Sequence, residues 1–399
     1  MMLARRGVVA ALVIVLLAGC GSPPSTARPA PSDAGPEAEA AVPGFWTART
    51  PVTSLDLLAV WGSGSELYAA GRGGVIVRSA DDGDTWSVSR PGDAQALFFP
   101  AFYAIWGSGP GDVYVGGADR EQRPLVAHSA DHGQSWQPLA AALPGIPQKI
   151  WGSGPQDVYV AVAPGGVVHS SDGGRTWQTV YGDGSTHGTG VWGSSAGDVY
   201  AVGWTTEPAA APSPDGGSDA ASVDGGVDAG DAGEPPAGSG DGGEVARGFV
   251  VHSTDGGHTW SAVTSAPFVK MLDISGSADG TGVSACGAQV TQVLTIDHGA
   301  SWYVSTSAGF DVVLYRIWCP PHDSDVADCW MVSDQGLLAN ITIFDGGPIV
   351  WTVAELPPIF TSRNGSLVEE STGPSAVWGT SLEDVWVVGA AGAIWHGGL

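Results

Sequence analysis

The sequence predicts an all-β fold, a seven-bladed propeller of four-stranded antiparallel blades, on three observations. Two different motifs recur in step along the 399 residues. Their period of about 41 to 45 residues matches one four-stranded blade. The first and last copies are each incomplete, and each lacks what the other supplies. With 61 glycines and 28 prolines, composition points the same way, toward many turns rather than helices.

The first motif reads RSADDGDTW at 78–86, HSADHGQSW at 128–136, HSSDGGRTW at 169–177, HSTDGGHTW at 252–260 and TIDHGASW at 295–302. The second reads AVWGSGSELYAAG from 59, AIWGSGPGDVYVGG from 104, KIWGSGPQDVYVAV from 149, VWGSSAGDVYAVG from 191 and AVWGTSLEDVWVVG from 376. A worn copy, RIWCPPHDSDVADCWMV, starts at 316, and DISGSADGTGVSACG at 273 has Ser275 in the tryptophan slot.

Each unit resolves into four short strands. Strand A ends at the Trp-Gly pair, strand B is the Asp-Val-Tyr-Val run, strand C the Gly-Val-Val-His-Ser run, and strand D starts at the Thr-Trp. Short apolar alternations broken by Gly, Ser and Asp are strand and hairpin signals. From a strand-D tryptophan to the next strand-A slot the interval is 15 at Trp136–Trp151, Trp177–Trp192 and Trp260–Ser275. Trp46 precedes Trp61 by the same 15 residues, so GFWTARTP reads as a strand D with no A to C before it. The last unit, ending GAIWHGGL, has A to C and no D. The N-terminal strand therefore closes the ring and hides both sheet edges. Thirteen of the 17 tryptophans occupy the two slots, which suits packing between blades better than a ligand platform.

In the first motif the aspartate is placed to accept backbone N–H bonds in a tight C–D turn. The glycine two residues on permits positive φ. Asp81, Asp131, Asp172, Asp255 and Asp297 thus recur once per unit, as structural residues do and a catalytic residue does not.

Residues outside the ring are explained separately. MMLARRGVVAALVIVLLAGC has the basic start, short apolar run and small residues of an export leader, too short for a span of about 20 residues. Leu17-Ala18-Gly19-Cys20 resembles the lipobox of bacterial lipoproteins. That resemblance implies a leader over 1–19, a lipid on Cys20, and a domain held to a membrane in an extracytoplasmic compartment of a cell envelope. Residues 20–43 are the lipidated cysteine and a Pro/Ala-rich tether, with the propeller over 44–399. Residues 205–247, rich in Asp, Gly, Ala and Pro, are expected to be a disordered acidic insertion between strands B and C of blade 4. Cys319 and Cys329 bracket a strand turn, where an oxidising compartment permits a disulfide. Cys286 falls at a buried strand position as a packed thiol.

The charge balance, 15 basic against 41 acidic residues, repels phosphate backbones and argues against nucleic acid. No metal-ligand spacing stands out, and no cofactor is implied.

The first motif is similar to the Asp-box, or BNR repeat, of sialidases, xyloglucanases, sortilin-type receptors and a photosystem assembly factor. The resemblance implies a propeller whose boxes lie on the face opposite most ligand sites. It does not fix an activity, since the fold carries hydrolases and binding proteins alike. The arginine triad and tyrosine–glutamate pair of sialidases have no match here, and no two non-repeated acids are spaced as a glycosidase pair. Function is then expected on the loops joining D to A and B to C, with Arg72, Arg90, Arg120, Arg123, Tyr181, His187 and Arg363 as ligand-face candidates. The expected function is that of a monomeric, lipid-anchored binding or scaffold protein for a protein or glycan ligand. The alternative is a carbohydrate-active hydrolase, sialidase-like or another glycosidase, on the same fold.

Overall fold

In a computed structural model of the chain, the described residues are 14–16, 45–89, 101–139, 142–208, 244–263, 270–305, 312–320, 326–344, 349–363, 366–370 and 373–398. They form the seven antiparallel four-stranded blades that the repeat predicts. In blade 3 the strands are Ile146–Gly154, Asp157–Ala163, Gly166–Ser170 and Gln178–Tyr181, in the order A-B-C-D. Blade 7 takes its strands A to C from Pro374–Ser381, Asp384–Gly389 and Ile394–Gly397. Its strand D is Thr47–Ala48, which pairs with His396 and Trp395 and closes the ring.

Each strand A contacts the strand A of the next blade, and the seventh contacts the first, so the A strands line a central channel. All seven also carry a register irregularity in the same place, two to four residues before the tryptophan slot (Leu57/Ala59 in blade 1, Met271/Asp273 in blade 5). A bulge sharpens local twist, which suits a strand that must turn about the ring axis.

The Trp-Gly pair explains how blades interlock. Each strand-A indole reaches over the glycine of the next blade's Trp-Gly pair. A Cβ on Gly62, Gly107, Gly152, Gly193, Gly276 or Gly379 would stand only 2.6 to 2.9 Å from the ring of Trp378, Trp61, Trp106, Trp151, Trp192 or Trp318. Glycine is required there for close approach. Strand-B aromatics add a second interlock. The Tyr68 and Tyr114 hydroxyls donate to the carbonyls of Pro110 and Pro155, and Tyr159 to that of Gly256, each in the following blade. Apolar cores lie between neighbouring sheets, as where Tyr68 and Ile76 of blade 1 pack with Phe102, Ile105 and Trp136 of blade 2.

The boxes form the expected turns. In blade 3 Oδ1 of Asp172 accepts the Thr176 backbone N–H at 2.8 Å and the Ser170 hydroxyl at 2.8 Å, and Oδ2 accepts the Thr176 hydroxyl at 2.7 Å. Asp81, Asp131, Asp255 and Asp297 repeat all three bonds. Positive φ is needed at two consecutive residues, the glycine and the one before it, such as His132 (φ 59) with Gly133 (φ 70).

Three features extend the sequence expectation. Strands B and C of blade 4 continue beyond the predicted edges of the insertion, to Pro208 and from Glu244, with Thr205 paired to Arg247. The β-branched Thr205, Thr206 and Val245 suit that extension. Residues 209–243 of the insertion lie outside the described residues, as do the tether and Cys20. Between blades 6 and 7, Ile359–Arg363 and Ser366–Glu370 make an extra hairpin. Finally, Ile14–Leu16 pairs antiparallel with the outer strand of blade 6, Ile349–Ala354.

Candidate functional site: the tryptophan-rimmed channel mouth

A cavity of about 680 Å³ opens where the A strands of blades 3 to 7 end. Its walls include Trp151, Trp192 and Trp318, the glycines beneath them, and the hydroxyls of Ser153, Ser194, Ser195 and Thr380. In an antiparallel meander the A–B turns share a face with the C–D turns. Direct contact bears this out: the Asp82 and Gly173 amides, in box turns, donate to Ser65 and Gln156 in A–B turns. The cavity is therefore on the box face.

The ring of strand-A tryptophans has one break, and the cavity sits beside it. Blade 5 has Ser275 in the slot, and the residue in line beneath it is Cys319, where the other blades have glycine. The two substitutions fit one another. Without an indole above, a Cβ is tolerated, and the Cys319 amide donates to the Ser275 hydroxyl at 3.1 Å. Cys319 is disulfide-bonded to Cys329 on the neighbouring strand.

Behind the rim lies a buried charge. The slot two residues before the tryptophan position reads Ala59, Ala104, Lys149, Gly190, Asp273, Arg316 and Ala376 around the ring. Asp273 is fully buried. Its Oδ1 accepts from Lys149 Nζ at 2.8 Å and from the Ile274 amide at 2.9 Å, and its Oδ2 accepts from the Ile317 amide at 3.0 Å. One carboxylate thus joins blades 3, 5 and 6. Arg316 donates to the Tyr315 carbonyl at 3.0 Å. Cys286 is a free thiol in the same region; burial, and secondly the charge of Asp273, push its pKa well up, which makes it inert.

Three of the wall hydroxyls, all but that of Ser195, belong to a repeated network that superficially suggests catalysis. Ser153 and Ser194 donate to Oδ2 of Asp157 and Asp198 at 2.5 Å, and Thr380 donates to Asp384. The other oxygen of each aspartate meets His169, His252 or His396 at 2.6, 2.6 and 2.8 Å. Those imidazoles stack on Tyr159, Tyr200 and Trp386, with centroids 4.1, 3.9 and 4.0 Å apart. A nucleophilic triad places the histidine between hydroxyl and acid. Here the acid is in the middle, so no imidazole can take the hydroxyl proton. Blade 2 repeats the set with Ser108, Asp112, His128 and Tyr114. The network staples strands A, B and C. It also gives partners to Asp112, Asp157, Asp198 and Asp384, the acids that open the strand-B runs.

Of the seven ligand-face candidates, the five whose side chains are described, Arg72, Arg120, Arg123, Tyr181 and His187, do not line the cavity. Arg72 pairs with Asp56 at 3.2 Å, and Arg123 with Asp119 at 2.5 Å and Glu121 at 3.0 Å, all near the opposite face. Arg120 is exposed in the same turn as Arg123. Tyr181 packs on Phe249 and Trp260, with centroids 5.2 and 5.7 Å away. His187 stacks on Trp204 at 3.7 Å, and the Lys270 ammonium lies 4.4 Å from the same ring. Burial, then the Lys270 charge, lower the His187 pKa. Arg90 and the Arg363 side chain lie outside the described residues. Among the described residues, no three His, Cys, Asp or Glu side chains are grouped to hold a metal ion.

Comparison with known proteins agrees with this architecture. Residues 111–204, from strand B of blade 2 to strand B of blade 4, match the family model described as photosynthesis system II assembly factor YCF48. The chain resembles the solved structure of YCF48 bound to D1 peptide at 15% identity, covering 88% of this chain and 94% of that one, with a TM-score of 0.52. YCF48 from Cyanidioschyzon merolae gives 14% identity, 88% and 98% coverage, and 0.57. The GH74 xyloglucanase from Xanthomonas campestris gives 12% identity and 0.57, over 88% of this chain and 53% of that one. No curated protein matches by sequence. The repeat is of the BNR type, and at these identities the likeness is one of fold.

Proposed function

We propose that this BNR-type propeller is a binding or scaffold protein of a cell envelope, held to a membrane by a lipid on Cys20. Its domain faces an extracytoplasmic compartment as a monomer and engages a protein or glycan ligand. The observation that favours binding over chemistry is the make-up of the channel mouth. The described residues lining it present indoles, hydroxyls, two alanines, the Cys319 sulfur and backbone, and among them are no carboxylate, arginine or histidine. Glycoside hydrolysis calls for two carboxylates about 5 to 10 Å apart across the bond to be cut. A protein partner is supported by the likeness to YCF48, which has been solved with a D1 peptide. The likeness to GH74 xyloglucanases favours the second reading, a glycoside hydrolase.

Two measurements test the proposal. Fatty-acid labelling in cells is expected to mark the full chain and to be lost in Cys20→Ala; equal labelling of both ends the anchoring claim. Incubation of the purified chain with xyloglucan and sialylated glycans is expected to release no product. Turnover that survives repurification and is abolished by one acidic substitution would replace the binding reading with the hydrolase.

A further inference from the structure

We propose that the outer edge of blade 6 is a strand-addition site for an extended, uncharged, apolar segment of a partner protein. Among the described residues, the outer strand of the other six blades has two to four residues: Ser87–Ser89, Gln137–Pro138, Gln178–Tyr181, Ser261–Ala262, Tyr303–Ser305 and Thr47–Ala48. Blade 6 has six, Ile349–Ala354, reading IVWTVA. The cause is local. Aligned on Trp351, the four positions that form the box elsewhere are Phe344, Gly346, Pro348 and Val350, so this unit lacks the box residues in sequence. Strand pairing instead starts at Ile343 opposite Ile349 and runs to Leu338 opposite Ala354.

An edge of this kind is normally blunted by brevity, proline or charge. The blade 6 edge has none of these, and Val353 is 51% exposed on it. The neighbouring outer strand, in blade 5, adds exposed Tyr303 and Val304 to the same side of the ring. What the edge accepts is visible in the structure. Ile14, Val15 and Leu16 pair antiparallel with Trp351, Val350 and Ile349, extending the sheet to five strands. Strand addition takes affinity from main-chain bonds and selectivity from alternate side chains. The fitting segment is therefore β-branched and apolar, free of proline and charge, like the one seated there.

The test uses the unprocessed chain, with residues 1–19 retained, and its Val15→Pro variant, whose leader cannot complete the pairing. Amide exchange of residues 349–354 is expected to be slow in the full chain and about tenfold faster in the variant. A short peptide carrying Val-Ile-Val-Leu between lysines should restore slow exchange in the variant. The same peptide N-methylated at alternate residues should not, because it keeps its side chains and loses its donors. Equal protection by the N-methylated peptide, or identical exchange in chain and variant, overturns the proposal. Protection in the variant without peptide, together with a dimer by light scattering, overturns it in favour of a second copy of this chain.

Discussion

The Lys149 ammonium reaches past blade 4 to lie 2.8 Å from Oδ1 of Asp273. Gly190, in the equivalent slot of blade 4, presents no side chain between them. A contact between blades 3 and 5 bridges a neighbour, so this pair braces the ring on the side where the tryptophan rim is broken.

Lys149→Met should therefore be more damaging than its half-buried position suggests. It leaves a fully buried carboxylate with only two amide donors, at a cost of about 3 kcal/mol. Chemical denaturation measures it. The double variant with Asp273→Asn should recover part of the loss, since the pair is coupled; strictly additive losses would show that the ion pair contributes nothing.

The interlock of tryptophan on glycine is tested at Gly193, where a Cβ would stand 2.6 Å from the Trp151 ring and 2.4 Å from the Asp198 carbonyl. Gly193→Ala is expected to lower stability by about 1–3 kcal/mol through overpacking. Gly154→Ala, two residues beyond the homologous Gly152 and with nothing within 4 Å, should be neutral in the same thermal melts.

Ring closure depends on Trp46. It is 8% exposed, and its ring meets Trp330 of blade 6 edge-on at a centroid distance of 5.3 Å. Trp46→Ala should cost about 3–5 kcal/mol. Exchange at Ile394–Gly397, the strand that Thr47–Ala48 covers, should accelerate more than exchange at blade 3.

The box carboxylates set the acid limb of stability. Hydrogen bonds from the hydroxyls and amides of Ser135, Thr176 and Thr259 hold Asp131, Asp172 and Asp255 at pKa values of about 2, against an ordinary 3.8. Between these values the unfolded chain binds more protons than the folded one, so stability rises with pH. The contribution is complete above 3.8 and is lost as the pH falls through about 2. Replacing all three with asparagine should flatten denaturation midpoints over that window and leave the slope above pH 5 unchanged.

Legibility followed the repeat. Blade number, the closing strand and the box turns could be read because each is written several times at a fixed interval. Contacts between different slots could not. Asp157 and His169 are 12 residues apart on different strands, and only the sheet register brings them together. The Lys149–Asp273 pair is written once; its signal was the run of Lys, Gly, Asp and Arg in a slot otherwise holding alanine. The hairpin at Ile359–Glu370 carried a turn signal, Asn364-Gly365, inside a stretch read as loop. Function is expected on the loops of the opposite face, and the sequence offers no sign of the cavity. The cavity lies at the short A–B turns, because a vacancy in a packed rim needs no loop.

The closing strand has a mechanical consequence. Strand D of blade 7 begins at the box face, beside Gly397, so the chain leaves the ring through Phe45 on the same side as the cavity mouth. A pull applied through Phe45 along the strand loads the Thr47–His396 and Ala48–Trp395 pairs together in shear, whereas a pull outward from the ring would unzip them one after the other. Resistance to force is thus directional, and the channel mouth faces the direction from which the load arrives.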